Sequence, residues 1–304
     1  MFKRIFLFLA VNIAVMIVGS IVINLVLSFF NIGPAYSAQG LNYTSLMVIC
    51  FLWGMIGSFI SLSISRWIAK RMFNIEILEA TGRQSQLVLK VHEMARRAGL
   101  QVMPEVGIYQ SPEVNAFATG PSRNRSLVAV SSGLMQQMDT DEVDGVLAHE
   151  IAHIANGDMV TMALVQGVVN AFVMFLARVA TFAIDQAMRG DDERGKGLGF
   201  FAHFMLNNLF HIIFGFLTSP IIYSFSRWRE YRADYGGAKI AGKHKMIAAL
   251  ERLKSTVDAL GTDKNIPHEA AVQTMQISAK SGLSKWFSTH PSLEDRISRL
   301  RSMP

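Results

Sequence analysis

The sequence predicts a mainly helical α+β protein: a water-exposed domain, interrupted in sequence, combined with about four transmembrane helices. Three observations carry this. The 304 residues are 51% hydrophobic and only 17% charged, against roughly one quarter charged in ordinary soluble domains. Four apolar stretches, 5–30, 43–65, 159–184 and 198–225, each exceed the ~20 residues that cross a hydrocarbon core. Two more polar blocks, 66–158 and 226–304, repeat apolar residues at helical spacing, and the first also holds short β-type runs. The expected order is two N-terminal membrane helices (1–65), a first part of the polar domain (66–158), a membrane hairpin (159–225) and a second part (226–304).

Lys3 and Arg4 open the first apolar stretch, and Ala35-Tyr36-Ser37 faintly resembles a signal cleavage site. The apolar run is far longer than a signal h-region and a second run follows, so a retained anchor is expected. Basic residues flank one side of the spans: Lys3 and Arg4, then Arg66, Lys70 and Arg71, then Arg227, Arg229 and Arg232. The segment 31–42 has none. This is the positive-inside pattern, with both polar blocks cytoplasmic. It accounts for most of the net charge of +6, and no basic stripe is interleaved with aromatics, so nucleic acid is not an expected partner.

In the first block, 84–98 reads as a helix. The runs 106–109, 115–118 and 127–130 read as strands. In the second, 261–266 reads as a loop and 292–301 as a capped helix. Arg178 in the third span, and His203, Asn207 and His211 at i, i+4 and i+8 in the fourth, are unusual for lipid-facing positions. They are expected to face protein or water. No carboxylate accompanies them, so they are not expected to form a second metal site.

The chemistry is concentrated at His149-Glu150-Ile151-Ala152-His153. On a helix the two imidazoles lie one turn apart on one face, within reach of one metal ion. Glu150 points about a quarter turn away, where it can meet an activated water. This HExxH spacing is the metal-binding pattern of zinc peptidases. The flanking residues support a helix there. Asp139 and Glu142 have capping-box spacing, Val143, Val146 and Leu147 form an apolar stripe, and Asn156-Gly157 supplies a stop. The plainer reading is a half-buried helix whose histidines are core or surface residues.

Two histidines leave a catalytic zinc one protein ligand short. The single cysteine, Cys50, lies inside the second span, so the chain offers no disulfide and no Cys-type site. The third ligand is expected to be a carboxylate on the same side of the membrane. Arg229-Glu230-Tyr231-Arg232-Ala233-Asp234 follows the fourth span directly. There Glu230 can ligate while Asp234 accepts a hydrogen bond from a ligand imidazole and orients it. Ordinary ion pairs on a juxtamembrane helix are the alternative. His268-Glu269 is a decoy, because Val272 stands where a second histidine is needed.

Residues 149–158 (His-Glu-Ile-Ala-His-Ile-Ala-Asn-Gly-Asp), 229–234 and Asn115-Ala116-Phe117-Ala118-Thr119-Gly120 together resemble the HtpX family of bacterial membrane-bound zinc metalloproteases. The resemblance covers essentially the whole chain. It implies a zincin-like domain of the gluzincin type, cytoplasmic, on a multi-pass protein of the bacterial inner (plasma) membrane. It implies one Zn2+ per chain, held by His149, His153 and Glu230, with Glu150 as catalytic base and Asp234 behind the ligands. It also implies membrane protein or peptide substrates at the lipid bilayer, and quality control of damaged membrane proteins under stress.

Two further expectations come from the residues. His290, in Phe287-Ser288-Thr289-His290-Pro291, is a candidate donor to the oxyanion of the tetrahedral intermediate; a capping or surface histidine is the plainer alternative. Asn115, Ala116, Phe117 and Ala118 form a candidate exposed edge strand to which an extended substrate could add. Two rivals are a protease cutting within the bilayer and a non-catalytic scaffold with structural zinc. Acidic residues around the motif (Asp139, Asp141, Glu142, Asp144, Asp158) oppose the first. Glu150, which a structural site does not need, opposes the second.

Overall fold

The computed structural model describes residues 21–30, 32, 33, 35–37, 40–81, 85–189, 197–262 and 290–303. Two compact units emerge, each discontinuous in sequence: 1–61 with 163–222, and 62–162 with 223–304. Of the first apolar stretch, 21–29 is helical and 1–20 lies outside the described residues, as do 263–266 of the expected loop and the His268-Glu269 decoy.

Among the described residues, three helices are long and apolar enough to cross a membrane: α1 (Tyr43–Met72), α5 (Asp158–Arg189) and α6 (Phe200–Ala241). In the first unit, α1 and α5 approach closely at paired glycines. A Cβ on Gly54 would lie 2.4 Å from the Gly167 carbonyl oxygen. Small residues at such a crossing let backbones meet where no hydrophobic force draws helices together. Helix α6 carries Pro220 in its interior. Proline cannot donate to the carbonyl four residues earlier, and Ser219 Oγ donates to that Phe216 oxygen instead at 2.8 Å.

Two short strands, β1 (Tyr36–Ser37) and β2 (Gly40–Leu41), pair antiparallel in the first unit. The second unit is built on a four-stranded sheet of order β3 (Glu76–Ile77), β4 (Glu105–Tyr109), β6 (Arg125–Ser131), β5 (Ala116–Ser122). β4 and β6 are parallel, β5 and β6 antiparallel. Strand β6 is central, and its Leu127, Val128, Ala129 and Val130 are fully buried. Such a run lacks alternation because both faces are covered. The three strand-like runs and the 84–98 helix correspond to β4, β5, β6 and α2 (Ser85–Arg97) within a few residues. Strand β5 is the sheet edge and begins at Ala116. Asn115 just precedes it and is held by Ser131, whose N–H donates to the Asn115 oxygen at 2.9 Å.

Helix α3 (Ser132–Gln137) leads into α4 (Thr140–Asn156), which carries the HExxH residues. The capping box is present: Asp139 accepts from the Asp141 and Glu142 N–H groups, and Glu142 accepts from Asp139 N–H at 2.9 Å. Gly157 ends the helix with φ 71°, a left-handed conformation that costs a glycine little. Leu147, Ile151 and Ile154 of α4 are fully buried in the main core, each worth about 1.5–3 kcal/mol of transfer free energy. Helices α7 (Lys243–Thr262) and α8 (Leu293–Ser302) pack together through Met246, Leu250, Leu293, Ile297 and Leu300. Gly261 and Thr262 are helical, not looped as expected; the helical register of α7 simply continues through the glycine, which a helix tolerates at about 1 kcal/mol.

Helix α6 is one uninterrupted helix of 42 residues, so no turn separates the apolar stretch from the Glu230 segment. It passes very near α4 at Gly237, where a Cβ would lie 2.6 Å from Met246 Sδ and 3.2 Å from the His149 nitrogen. We expect Gly237→Val to force the helices apart and destabilise the protein by about 1–3 kcal/mol, measured as a lowered Tm of the purified full-length chain.

Candidate metal centre and active site

His149 and His153 project from one face of α4, and their Nε2 atoms lie 3.1 Å apart. Glu230 reaches both from α6: its Oε2 is 3.4 Å from His149 Nε2 and its Oε1 is 3.4 Å from His153 Nε2. All three side chains are buried. Among the described residues this is the one group of three or more His, Cys, Asp or Glu side chains whose ligand atoms converge, all within 4.8 Å of one another. His203 and His211 belong to no such group among those residues.

Each ring is oriented from behind. His149 Nδ1 donates to Asp234 Oδ1 at 3.0 Å, and His153 Nδ1 donates to Asp158 Oδ2 at 2.7 Å. With both Nδ1 protons given to carboxylates, the neutral rings turn their Nε2 lone pairs toward each other and toward the Glu230 oxygens. These four electron-rich atoms, two nitrogens and two oxygens, repel unless a proton or a cation lies between them. The donor set of two imidazoles and one carboxylate suits Zn2+ with one position left open. The residues therefore fit a catalytic metal.

The electrostatics lean the same way. Burial disfavours a charged His149, but Asp234 and Glu230 outweigh it and push its pKa up to about 9. Burial would raise Glu230, yet when protons rather than a cation lie between these groups, hydrogen bonds from His149, His153 and His290 hold it well below the usual carboxylate range. Asp234 is likewise held at about 2: burial opposes ionisation, but the Arg296 guanidinium overcomes it.

A second layer of charge closes the site. Arg296 of α8 grips Asp234 with two bonds, Nη2 to Oδ1 at 2.6 Å and Nε to Oδ2 at 2.8 Å. Arg232 of α6 donates to Asp158 Oδ1 at 2.6 Å and to the Asn156 carbonyl at 3.3 Å, with its guanidinium stacked 4.7 Å from the Trp228 ring centre. Sequence patterning assigns no site role to Asp158 or Arg296. A signal for Arg296 is nonetheless present: it falls between Leu293, Ile297 and Leu300, on the apolar stripe of α8, where a cation needs a buried acid. Asp158 carries no comparable mark, because its position depends on the αL turn at Gly157.

Of the other expected site residues, His290 is brought to the centre, with Nδ1 3.0 Å from Glu230 Oε2. It precedes the Ser292 cap of α8, and Tyr231 pins that helix through a hydrogen bond to Asp295. Glu150 is half-buried on α4 and acts electrostatically on both Arg296 and Tyr109. Residues 115–118 lie at the start of the edge strand β5, which packs against β6.

These residues fall within a known pattern. The model for peptidase family M48 matches residues 81–304. The chain is 48% identical over 308 residues to the "Protease HtpX homolog" of Bacillus subtilis (strain 168), covering 99% of this chain and 100% of that one. It is 46% identical over 303 residues to "Protease HtpX" of Tolumonas auensis, with 99% of each covered. The fold resembles the crystal structure of S. mikatae Ste24p at a TM-score of 0.65 and 19% identity. That match covers 98% of this chain but only 65% of Ste24p, and so speaks for the fold alone. M48 metalloproteases are zinc-dependent in general, and the buried His-His-Glu cluster and the apolar helices agree with that lineage. The chain belongs to peptidase family M48, in its HtpX branch, and is a membrane metalloprotease.

Proposed function

We propose that this metalloprotease is a zinc-dependent endopeptidase of the gluzincin type, with one Zn2+ per chain. It cleaves damaged or misfolded membrane proteins at the cytoplasmic face of the plasma membrane. The observation that carries the reading is the convergence of His149, His153 and Glu230, with both rings backed by buried acids and Glu150 beside the first histidine. The cytoplasmic side is supported by the basic residues after the second and fourth apolar stretches and by their absence from 31–42. The apolar stretch 5–30 has the length and composition of a further span. Residues 66–158 and 226–304 form the catalytic domain, and 1–65 and 159–225 anchor it.

Zinc held by the two imidazoles and Glu230 would polarise a scissile carbonyl and bring the pKa of a water toward 7. The protein's own groups do the rest. Glu150 accepts the proton of the attacking water and delivers it to the departing amine nitrogen. His290, next to Glu230, donates to the oxygen that becomes negative as the carbonyl turns tetrahedral. Asp234 and Asp158 hold the ring tautomers so that both Nε2 atoms stay free to ligate. The substrate lies extended along β5, where 115–118 offer backbone groups that recognise peptide irrespective of sequence. That tolerance suits varied misfolded clients.

Four variants test this. Glu150→Gln is expected to lower kcat on an unfolded membrane substrate by at least about 10²-fold while bound zinc stays at one per chain; undiminished cleavage removes Glu150 as base. Glu230→Ala is expected to lose zinc in metal analysis as well as activity; full zinc occupancy would falsify its role as ligand. Asp158→Asn should weaken zinc affinity about 10–100-fold in a chelator competition, with the metal-saturated enzyme still active. His290→Ala should lower kcat far more than it changes zinc content, and an unchanged kcat would exclude it from the chemistry.

A further inference from the structure

The first unit contains a cavity of about 150 Å³ lined by Arg178 of α5 and by Phe200, His203, Phe204 and Asn207 of α6. Arg178 Nη1 donates to the Met174 carbonyl at 3.3 Å and lies 3.8 Å from Cys50 Sγ. Among the described residues no carboxylate pairs with it. Asp185, further along α5, is already taken by Arg189 at 2.8 Å and by the Leu198 N–H at 2.6 Å. A guanidinium has five donors, and one inside an apolar helix is costly without an anion.

The lining has the character of an anion site. Among the described residues it holds a cation, an imidazole and an amide, and no acidic residue. Asn207 Oδ1 is buried with no hydrogen-bond partner among the described residues, and an unmet acceptor ordinarily costs about 1–3 kcal/mol. Because a water takes up ~30 Å³ in the liquid, a space of about 150 Å³ admits a tetrahedral phosphate with its substituents. The surroundings say where that phosphate comes from. Phe200 and Phe204 are exposed, as are Phe201, Met205, Leu209 and Ile212 along the same helix. The cavity thus adjoins a surface fit for acyl chains.

We infer that this cavity binds the headgroup of an anionic phospholipid that also carries a hydroxyl. Its phosphate pairs with Arg178 and accepts from His203. Its hydroxyl, which both donates and accepts, satisfies the Asn207 amide in either orientation, and its acyl chains lie along the exposed phenylalanines. The site shares no residue with the metal centre, and the proposal is independent of the proteolytic reading.

The test uses purified full-length protein in detergent and native mass spectrometry with three probes: dioleoylphosphatidylglycerol, dioleoylglycerol and inorganic phosphate. Wild type is expected to retain phosphatidylglycerol at least about tenfold more tightly than Arg178→Gln, to bind dioleoylglycerol weakly, and to keep its lipid in millimolar phosphate. Equal retention by Arg178→Gln, or equal binding of dioleoylglycerol, overturns the proposal. Displacement of the lipid by inorganic phosphate overturns it too, by making a free anion the ligand. Should Arg178→Gln fail to fold, His203→Ala/Asn207→Ala decides with the guanidinium intact: reduced retention supports the site, and undiminished retention rejects it.

Discussion

The second unit is organised around an electrostatic conflict. Two imidazole nitrogens 3.1 Å apart and a carboxylate 3.4 Å from each are held face to face in a buried pocket, an arrangement that only a positive charge at its centre relieves. Every neighbouring feature serves to maintain it. The two rings are tied by their far nitrogens to Asp234 and Asp158, and those acids are tied to Arg296 and Arg232. Arg296 and Asp234 are both buried, and removing one member of such a pair costs about 3–5 kcal/mol because the other is left uncompensated; Arg232 is partly exposed, so its loss costs less. The site therefore depends on the two outer arginines as well as on the ligands themselves.

The geometry is economical in chain length. Within one stretch of α6, Glu230 faces both histidines, Arg232 secures the acid behind His153, and Asp234 secures His149. Gly237, slightly further along, lets α6 come close enough to α4 for these contacts to form. On α4, a single left-handed residue at Gly157 ends the helix and places Asp158 back against His153. Helix α8 then covers the cluster with Arg296 and holds His290 at its edge. A peptidase gains from this rigidity, because its chemistry depends on angstrom-scale placement.

The first unit solves a different problem. Its helices expose apolar side chains along most of their length, yet they carry Arg178, His203 and Asn207 at one cavity. Polar groups in such helices are retained where they have a partner or line a cavity, and an anionic headgroup is the partner whose chemistry matches all three.

Much of this is legible in the residues. Periodicity and length mark the spans, buried β6 reads as a continuous apolar run, and the Asp139 cap and Gly157 stop bracket the HExxH helix because caps and αL glycines are local events. Local spacing also puts His149 and His153 on one face, and Glu230 and Asp234 one turn apart. The roles of Asp158 and Arg296 are not legible there, because neither follows from regular spacing along a helix. One is turned back by a glycine's positive φ, and the other is carried by a helix some sixty residues beyond the acid it binds. The sequence by itself determined which residues could ligate, cap or span, since those properties belong to side-chain chemistry and to short-range geometry. Only the tertiary structure decided which carboxylate meets which imidazole, because that depends on how closely two helix backbones can approach, and side-chain spacing along one helix carries no trace of it.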